Sequence, residues 1–394
     1  MLPTESTDIL IIGAGPAGMS VALHLVEADA GWAERLLVID KAIHPREKLC
    51  GGGVTRPAEA ILRRLGLEIA TPQIPIYQLR VIYGHEVYIF TESTPLFRVI
   101  RRNEFDHWLV QRGRERGVTV REGEAVKAIR PADDQVEVIT NRAVIQAKTV
   151  VAADGSRSFV RQKLGWHNTA RMARLLEVLT PEQGTNQTYF EEGVASLDIT
   201  PMQQGVQGYY WDFPSLIDGQ PIMNRGIFDS RVRTNRPRAN LKSMLQELMT
   251  QRGRELNAYT LKGHPIHWFD PNGEFARPRI ILAGDAAGVD SLVGEGIGFA
   301  LGYGPVAADA ISDAFAQQDF RFTDYRQRIL SNPFLAEMKT RRVLARFIYG
   351  RKSPWSRRLA WRLGGPMISS LRRLSPRSMP FETPLLTKTD LLRG

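Results

Sequence analysis

Cysteine is nearly missing from these 394 residues, with Cys50 the single example. One thiol excludes an intramolecular disulfide and suits a reducing compartment, so the expectation is a cytoplasmic protein. Long apolar runs are also lacking. The most apolar stretch near the start is broken by Gly13, Gly15 and Pro16, which argues against a membrane-spanning helix. Residues 2–8 carry Glu5 and Asp8 with no positive charge ahead of that stretch, unlike a secretory leader. Acid is scarce at one end: residues 339–394 hold 14 Lys or Arg against only Glu382 and Asp390. That tail accounts for the formal net charge of +10, and the preceding 338 residues are close to neutral. His264 and His267 have neither a cysteine nor a third clustered ligand, so no metal site is expected. There is no internal repeat and no nucleic-acid module, so no nucleic-acid partner is expected.

What is present is an ordinary globular composition, 43% apolar and 24% charged, at a length that suits two or three domains. The chain opens on Asp8-Ile-Leu-Ile-Ile-Gly13-Ala-Gly15-Pro-Ala17-Gly18, and Asp40 closes a second apolar run 22 residues later. Apolar runs without polar members read as strands buried on both faces, so the glycines fall where a parallel strand turns into a helix. Gly13 permits the turn, Gly15 lets the backbone approach a pyrophosphate, and Gly18 lets the helix pack on the sheet. The helix N-terminus then faces the phosphates, and Asp40 is placed to hold ribose hydroxyls. The motif points to dinucleotide binding. No second GxGxxG is present for a nicotinamide nucleotide.

Residues 1–66 read as strand, helix, strand, loop and helix. A helix over 103–116 with Asn103 as its N-cap follows, then short alternating runs from Val118 to Gln146 that predict an antiparallel meander. Thr149–Asp154 is another buried strand ending on Asp154-Gly155, and Ile280–Asp285 a third ending on Gly284-Asp285. Residues 176–268 carry little helical periodicity beyond 238–254, and include the aromatic strand candidate Gly208–Pro214. The expected fold class is α/β, a discontinuous Rossmann-type domain (1–70, 98–175 and 275–330). It is interrupted by a β-rich substrate domain (71–97 and 176–274) and followed by a basic helical region, 331–394. Ligands are expected at the carboxyl ends of the three buried strands. Asp285 and the glycine-bounded helix start at Gly294-Glu-Gly296-Ile297 offer a cofactor contact and a positive dipole end, although Asp285 also suits a plain helix cap.

Together these residues resemble the flavoprotein superfamily of the aromatic hydroxylases, FAD halogenases and geranylgeranyl reductases, over roughly the first 310 residues. The resemblance implies the glutathione-reductase-like form of the Rossmann domain and bound FAD. It rests on Gly13, Gly15, Gly18 and Asp40, on Arg102, Phe105 and Asp106, on Asp154-Gly155 and on Gly284-Asp285. It implies cofactor contacts also at Ala17, Lys41, Cys50, Gly51, Gly52, Val126, Gly294, Gly296 and Ile297. Lys48-Leu-Cys50-Gly51-Gly52-Gly53 and Tyr209-Tyr-Trp211-Asp-Phe213-Pro214 are similar to motifs of the geranylgeranyl reductases, as is Gly284-Asp-Ala-Ala-Gly288 before Gly294-Glu-Gly296. One departure is the five-residue spacer Val289–Val293, where those reductases commonly have six with a proline.

The activity so implied is FAD-dependent reduction of carbon–carbon double bonds in a polyprenyl (geranylgeranyl-type) lipid or precursor. Cys50, Tyr209 and Trp211 are the catalytic candidates, and NAD(P)H or another electron donor the reductant. Cys50 is open to a plain structural reading as a small buried hydrophobe. The alternatives are an FAD-dependent monooxygenase or halogenase, and a non-catalytic flavin-binding protein at a membrane. Tyr209 and Trp211, two apart on one strand face, suit an apolar wall for an isoprenoid. In the tail, basic and apolar residues interleave around Arg341, Arg346, Trp355 and Trp361. This predicts either peripheral docking of 339–394 on an anionic membrane or helices that pack on the first domain.

Overall fold

The computed structural model describes residues 2–166, 171–182, 187–290 and 292–350. The greater part of the basic tail, with Trp355 and Trp361, lies outside the described residues, as does Ser291 of the spacer.

The opening run folds as the strand Thr4–Ile12, with its last residues fully buried, and Pro16–Ala28 is the helix that follows. Thr4–Ile12 pairs in parallel with Leu36–Asp40 on one side and Val144–Ala152 on the other. Thr119–Glu122 extends the sheet beyond Leu36–Asp40, and Ile280–Leu282 extends it beyond Val144–Ala152. Every central strand is apolar on both faces because helices cover both sides. Two sequence expectations are corrected here. The run starting at Val118 is not part of the meander: Thr119–Glu122 is a parallel strand of the main sheet, and the antiparallel meander begins at Val126–Pro131. Asn103 is not an N-cap either. The helix begins at Arg102, which its two-pronged bond to Asp106 one turn on draws into the first turn, and the Asn103 side-chain oxygen is buried without a partner.

Ile297–Gln317 crosses behind this sheet and packs on Pro16–Ala28 through small residues. A Cβ at Gly304 would stand 2.0 Å from the Ser20 hydroxyl. Pro305 removes the N–H that the Leu301 carbonyl would otherwise accept from. Ser20 supplies it instead, its Oγ donating to Leu301 O at 2.7 Å.

A second, seven-stranded sheet runs in the order Lys262–His267, Met172–Pro181, Gln220–Asp229, Gly208–Ile217, Val194–Asp198, Gln78–Tyr83 and Glu86–Thr91. Its strands come from two stretches of the chain, residues 78–91 and 172–267. A three-stranded sheet of Gly53–Thr55, Phe97–Ile100 and Gln73–Ile76 lies between the two. Beneath the large sheet Asp212 is bound by Tyr210, Arg225 and Arg252, and Glu182 by Arg225 and Arg254. These paired charges hold the back of the sheet.

The helix Pro333–Gly350 packs with Phe334 stacked on Phe299 at 4.8 Å, and Arg341 turns inward to Glu295 and Glu337. Ala345, Ile348 and Tyr349 join the apolar cluster that contains Trp211, Phe228, Trp268 and Leu292. The described start of the tail is therefore packed on the protein, while Lys339, Val343, Arg346 and Phe347 face outward.

Candidate active site

Three turns at the carboxyl ends of the central strands meet in a space that admits no side chains. A Cβ at Gly13 would lie 2.4 Å from the Ala153 carbonyl oxygen, one at Gly18 1.9 Å from the Gly13 carbonyl oxygen, and one at Gly284 2.4 Å from the Ala17 Cβ. Gly13 and Gly284 also have positive φ values of 109° and 61°, a region side chains resist. The turns Gly13–Gly18, Asp154-Gly155 and Gly284-Asp285 are thus brought to one edge, as the sequence pattern predicts.

Pro16–Ala28 starts at Gly15, and Ile297–Gln317 at Gly296, with no side-chain cap and no acid in either first turn. Their leading N–H groups therefore lack side-chain partners and present positive dipole ends. Asp40 is buried, its carboxylate accepting from the amides of Ala14 and Ala42 at 2.8 Å each. Lys41 stands exposed beside it, and Val126 is half-buried on the flank just past Glu122, the register partner of Asp40. Asp154 has a buried oxygen with no partner, and burial raises its pKa. The Asp285 carboxylate makes no hydrogen bond among the described residues. Two uncapped helix starts, a side-chain-free cradle and carboxylates short of donors fit a dinucleotide with phosphates and hydroxyls.

Cations gather on the same edge. Arg102 is buried against Asp106 at 2.7 and 2.8 Å, and Arg46 reaches the same carboxylate at 3.1 Å. Arg46 also passes 3.4 Å from where a Gly15 Cβ would be. Lys48 Nζ lies 2.6 Å from His264 Nε2, with Ser156 Oγ at 3.4 Å from the same nitrogen. Burial, then the charges of Lys48 and Arg102, push His264 down to about 3. The imidazole is therefore neutral at physiological pH, and its Nε2 accepts the bond from the lysine. Burial also holds His267 down, to about 4, and the ring sits between Arg161 and the Asp285 carbonyl, 3.1 Å from the latter. These contacts fix the Gly284-Asp285 turn.

The second sheet supplies the facing wall. Its register places Tyr209, Phe228, Leu175 and His264 in one cross-strand row and Trp211, Gly226, Glu177 and Lys262 in the next. Paired residues share a face, so both rows look toward the Cys50 loop. Trp211 Nε1 donates to Asn224 Oδ1 at 2.9 Å, and Asn224 Nδ2 donates to the Cys50 carbonyl at 2.9 Å. A Cβ at Gly51 would touch the Phe213 ring at 3.3 Å and Trp211 Nε1 at 3.4 Å. Gly52, with φ of 82°, has the Ile100 carbonyl where its Cβ would be, at 2.1 Å. The glycines thus let the loop lie flat under an aromatic wall. The half-buried Cys50 thiol accepts from the Gly52 amide at 3.4 Å, and burial raises its pKa.

At the closed end Tyr209 donates to the Val293 carbonyl at 2.9 Å and crowds Gly294, whose Cβ would sit 2.3 Å from the hydroxyl. Burial raises the Tyr209 pKa, so it stays a neutral donor. The short spacer is held by Asp290, whose Oδ1 accepts from Leu292 and Gly294 at 2.8 and 3.2 Å. Burial pushes its carboxyl up to about 7.

Cys50, Tyr209 and Trp211 are therefore gathered on one side of the nucleotide-type cradle, with Gly294, Gly296 and Ile297 at its end. Sequence reasoning missed Arg46, Lys48, Glu177, Asn224 and His264 as members of the site. The Lys48 and Asn224 contacts join residues more than 170 positions apart, so no local spacing announces them.

A family model for the FAD binding domain matches residues 6–302. Among curated relatives, a digeranylgeranylglycerophospholipid reductase 2 of Methanosphaera stadtmanae is 26% identical over 328 residues, covering 78% of this chain and 79% of its own. A menaquinone reductase of Mycolicibacterium smegmatis is 27% identical over 329 residues, covering 77% and 76%. Among solved structures, a geranylgeranyl bacteriochlorophyll reductase-like protein of Thermoplasma acidophilum superposes with a TM-score of 0.68 at 19% identity, covering 93% of this chain and 98% of its own. The halogenase PltM does so at 0.70 and 16%, covering 93% and 83%. At these identities the two structures speak for the fold alone.

Proposed function

The chain belongs to the FAD binding domain family and is an FAD-dependent oxidoreductase, and from that premise we propose that it reduces carbon–carbon double bonds of a polyprenyl lipid or prenylated precursor. The observation that carries this reading is the Cys50–Gly53 loop lying flat beneath Trp211 and Phe213, tied to them through Asn224. A thiol beside an apolar aromatic wall suits an alkene that must receive a proton where water is excluded. The named activities of the two reductase relatives point the same way.

Gly13, Gly15, Ala17 and Gly18 with the helix start, joined by Arg46 and Arg102, would hold the pyrophosphate of FAD. Asp40, with Lys41 and Val126 beside it, would hold the ribose end. Asp154-Gly155, Asp285, Gly294, Gly296 and Ile297 would hold the ribityl chain and the ring, with Gly51 and Gly52 against it. Bound and reduced, FAD supplies hydride. Cys50 then offers the proton, Tyr209 fixes the spacer by its bond to Val293, and Trp211 walls the chain of the substrate.

The halogenase or monooxygenase reading uses the same cofactor with oxygen. A halogenase calls for a lysine beside the tryptophan row; the lysine in that row, Lys262, is spent on Glu47 at 2.6 Å near the surface. We further propose that the outward face of Pro333–Gly350, with Lys339, Val343, Arg346 and Phe347, continues into the basic tail as a docking surface for anionic lipid. The function is tested by reducing the purified protein and supplying a geranylgeranyl lipid. The product gains two hydrogens per bond reduced, and recovery of unchanged lipid would sink the reading.

A further inference from the structure

Glu177 is a buried carboxyl with one oxygen left unused. It sits in the middle of the strand Met172–Pro181, 4% exposed, and its Oε2 has no hydrogen-bond partner. Its register neighbours are Gly226, beyond which stands Trp211, and Lys262 on the other side. Its carboxylate accepts a hydrogen bond from the backbone amide of Cys50. Gly226 makes the arrangement possible, because the Trp211 ring occupies the place its Cβ would take, 2.3 Å away. The carboxyl therefore lies behind the indole and beside the Cys50 loop. Lys262 leads outward to Glu47, which is exposed.

We propose that Glu177 is the proton store behind Cys50, restoring the thiol after it has given its proton to the substrate. This rests on the reading of Cys50 as proton donor. The alkene gains a hydride at one carbon, supplied by reduced FAD, and its π pair takes the Cys50 proton at the other, leaving a thiolate. The Glu177 acid then protonates the thiolate and becomes a carboxylate, which water at the Glu47–Lys262 surface re-protonates. Glu177 touches neither substrate nor ring and is a positioning residue that acts through Cys50.

The groups facing it set its readiness. Burial raises its carboxyl to about 7, opposed by the positive charges of Arg101 and Lys262 and by the Cys50 amide, and assisted by the negative charge of Glu47. An acid poised there exchanges its proton readily near neutrality. Its charge in turn holds the Cys50 thiol protonated, adding to burial and set against Arg102 and Lys48.

Because Cys50 is the only cysteine, iodoacetamide reports its thiolate without ambiguity. In substrate-free protein the pH profile of alkylation in E177Q should move to lower pH than wild type, and E177D should restore it. Superimposed profiles in folded, FAD-loaded E177Q would overturn the proposal. If E177Q fails to fold, the wild-type protein decides by infrared titration. Because Asp290 titrates in the same range, the band is read in D290N as well. A protonated-carboxyl band that persists in D290N must vanish as pH rises between about 6 and 8, with an inflection in Cys50 alkylation at the same pH. A band without that inflection, or no band, overturns it. Steady-state reduction of a prenyl lipid, in which the thiol must be restored every cycle, should slow in wild type as pH rises through about 7 and lose that dependence in E177Q. A single turnover from the protonated thiol should be insensitive to both. Intact coupling in the free protein with unaltered substrate reduction would instead discard the Cys50 role.

Discussion

Gly226 is where the aromatic wall, the sheet and the Cys50 loop depend on one missing side chain, and Gly226→Ala should disturb all three. The added Cβ would lie 2.3 Å from the Leu176 carbonyl oxygen, 2.3 Å from Trp211 Cζ2 and 2.4 Å from Cη2. Ordinary contacts begin near 3.4 Å, so the indole must retreat by about 1 Å while the backbone oxygen has little room to yield. Such overpacking costs about 1–3 kcal/mol. The retreat also pulls Trp211 Nε1 from Asn224, a buried bond worth about 1 kcal/mol. The sum is about 2–4 kcal/mol. At an unfolding entropy of roughly 2.1 cal/mol/K per residue, that is a fall in Tm of about 2–5 °C for a chain of this size. Thermal melts of the FAD-loaded variant read it directly, and FAD content should stay unchanged while prenyl-lipid binding weakens. A double-mutant cycle with Trp211→Phe isolates the cause, since phenylalanine lacks the clashing atoms. Gly226→Ala should cost less in that background by about 1 kcal/mol. A Tm within about 1 °C of wild type, or equal costs in both backgrounds, would refute the reasoning.

Asp285→Ala should weaken FAD by about 10- to 100-fold, the worth of a hydrogen bond to a charged group. Full occupancy measured by flavin absorbance would mean that Asp285 only shapes its turn. Full-length protein should co-sediment with acidic vesicles at low salt, at about 1 kcal/mol per Lys or Arg near the surface. Salt should weaken this binding, with a remainder carried by Val343, Phe347 and the tail tryptophans. Indifference to such vesicles would end the membrane proposal.

The parts of the fold that rest on local periodicity were legible in the sequence. The strand before Gly13, the helix after Gly18 and the turns at Asp154 and Gly284 each carry their reason within a few residues. Thr119–Glu122 was misread because alternation of Val118 and Val120 looks the same in a meander and at the edge of a parallel sheet; its partner at Leu37–Asp40 decides. Asn103 has the chemistry of a cap, but the Arg102–Asp106 ion pair sets the first turn one residue earlier. Within the site, the glycines and aromatics announced themselves. Glu177 did not, because a glutamate in an alternating strand reads as an outward polar residue; only the register across Gly226 shows that it faces Trp211. The Lys48–His264 pair was equally silent, being formed between the loop after Leu36–Asp40 and the edge strand Lys262–His267 of the seven-stranded sheet.

The central claim is that the reduced cofactor hands its electrons to a prenyl double bond rather than to oxygen. Its most direct test is anaerobic reduction of the FAD-loaded protein, followed by mixing with a geranylgeranyl lipid while flavin absorbance is watched. The account predicts that the oxidised spectrum returns on adding the lipid without oxygen, and that the lipid recovered carries two more hydrogens for each bond reduced. A flavin that stays reduced with the lipid, yet reoxidises on air with hydroxylation or halogenation of an aromatic substrate, would contradict it.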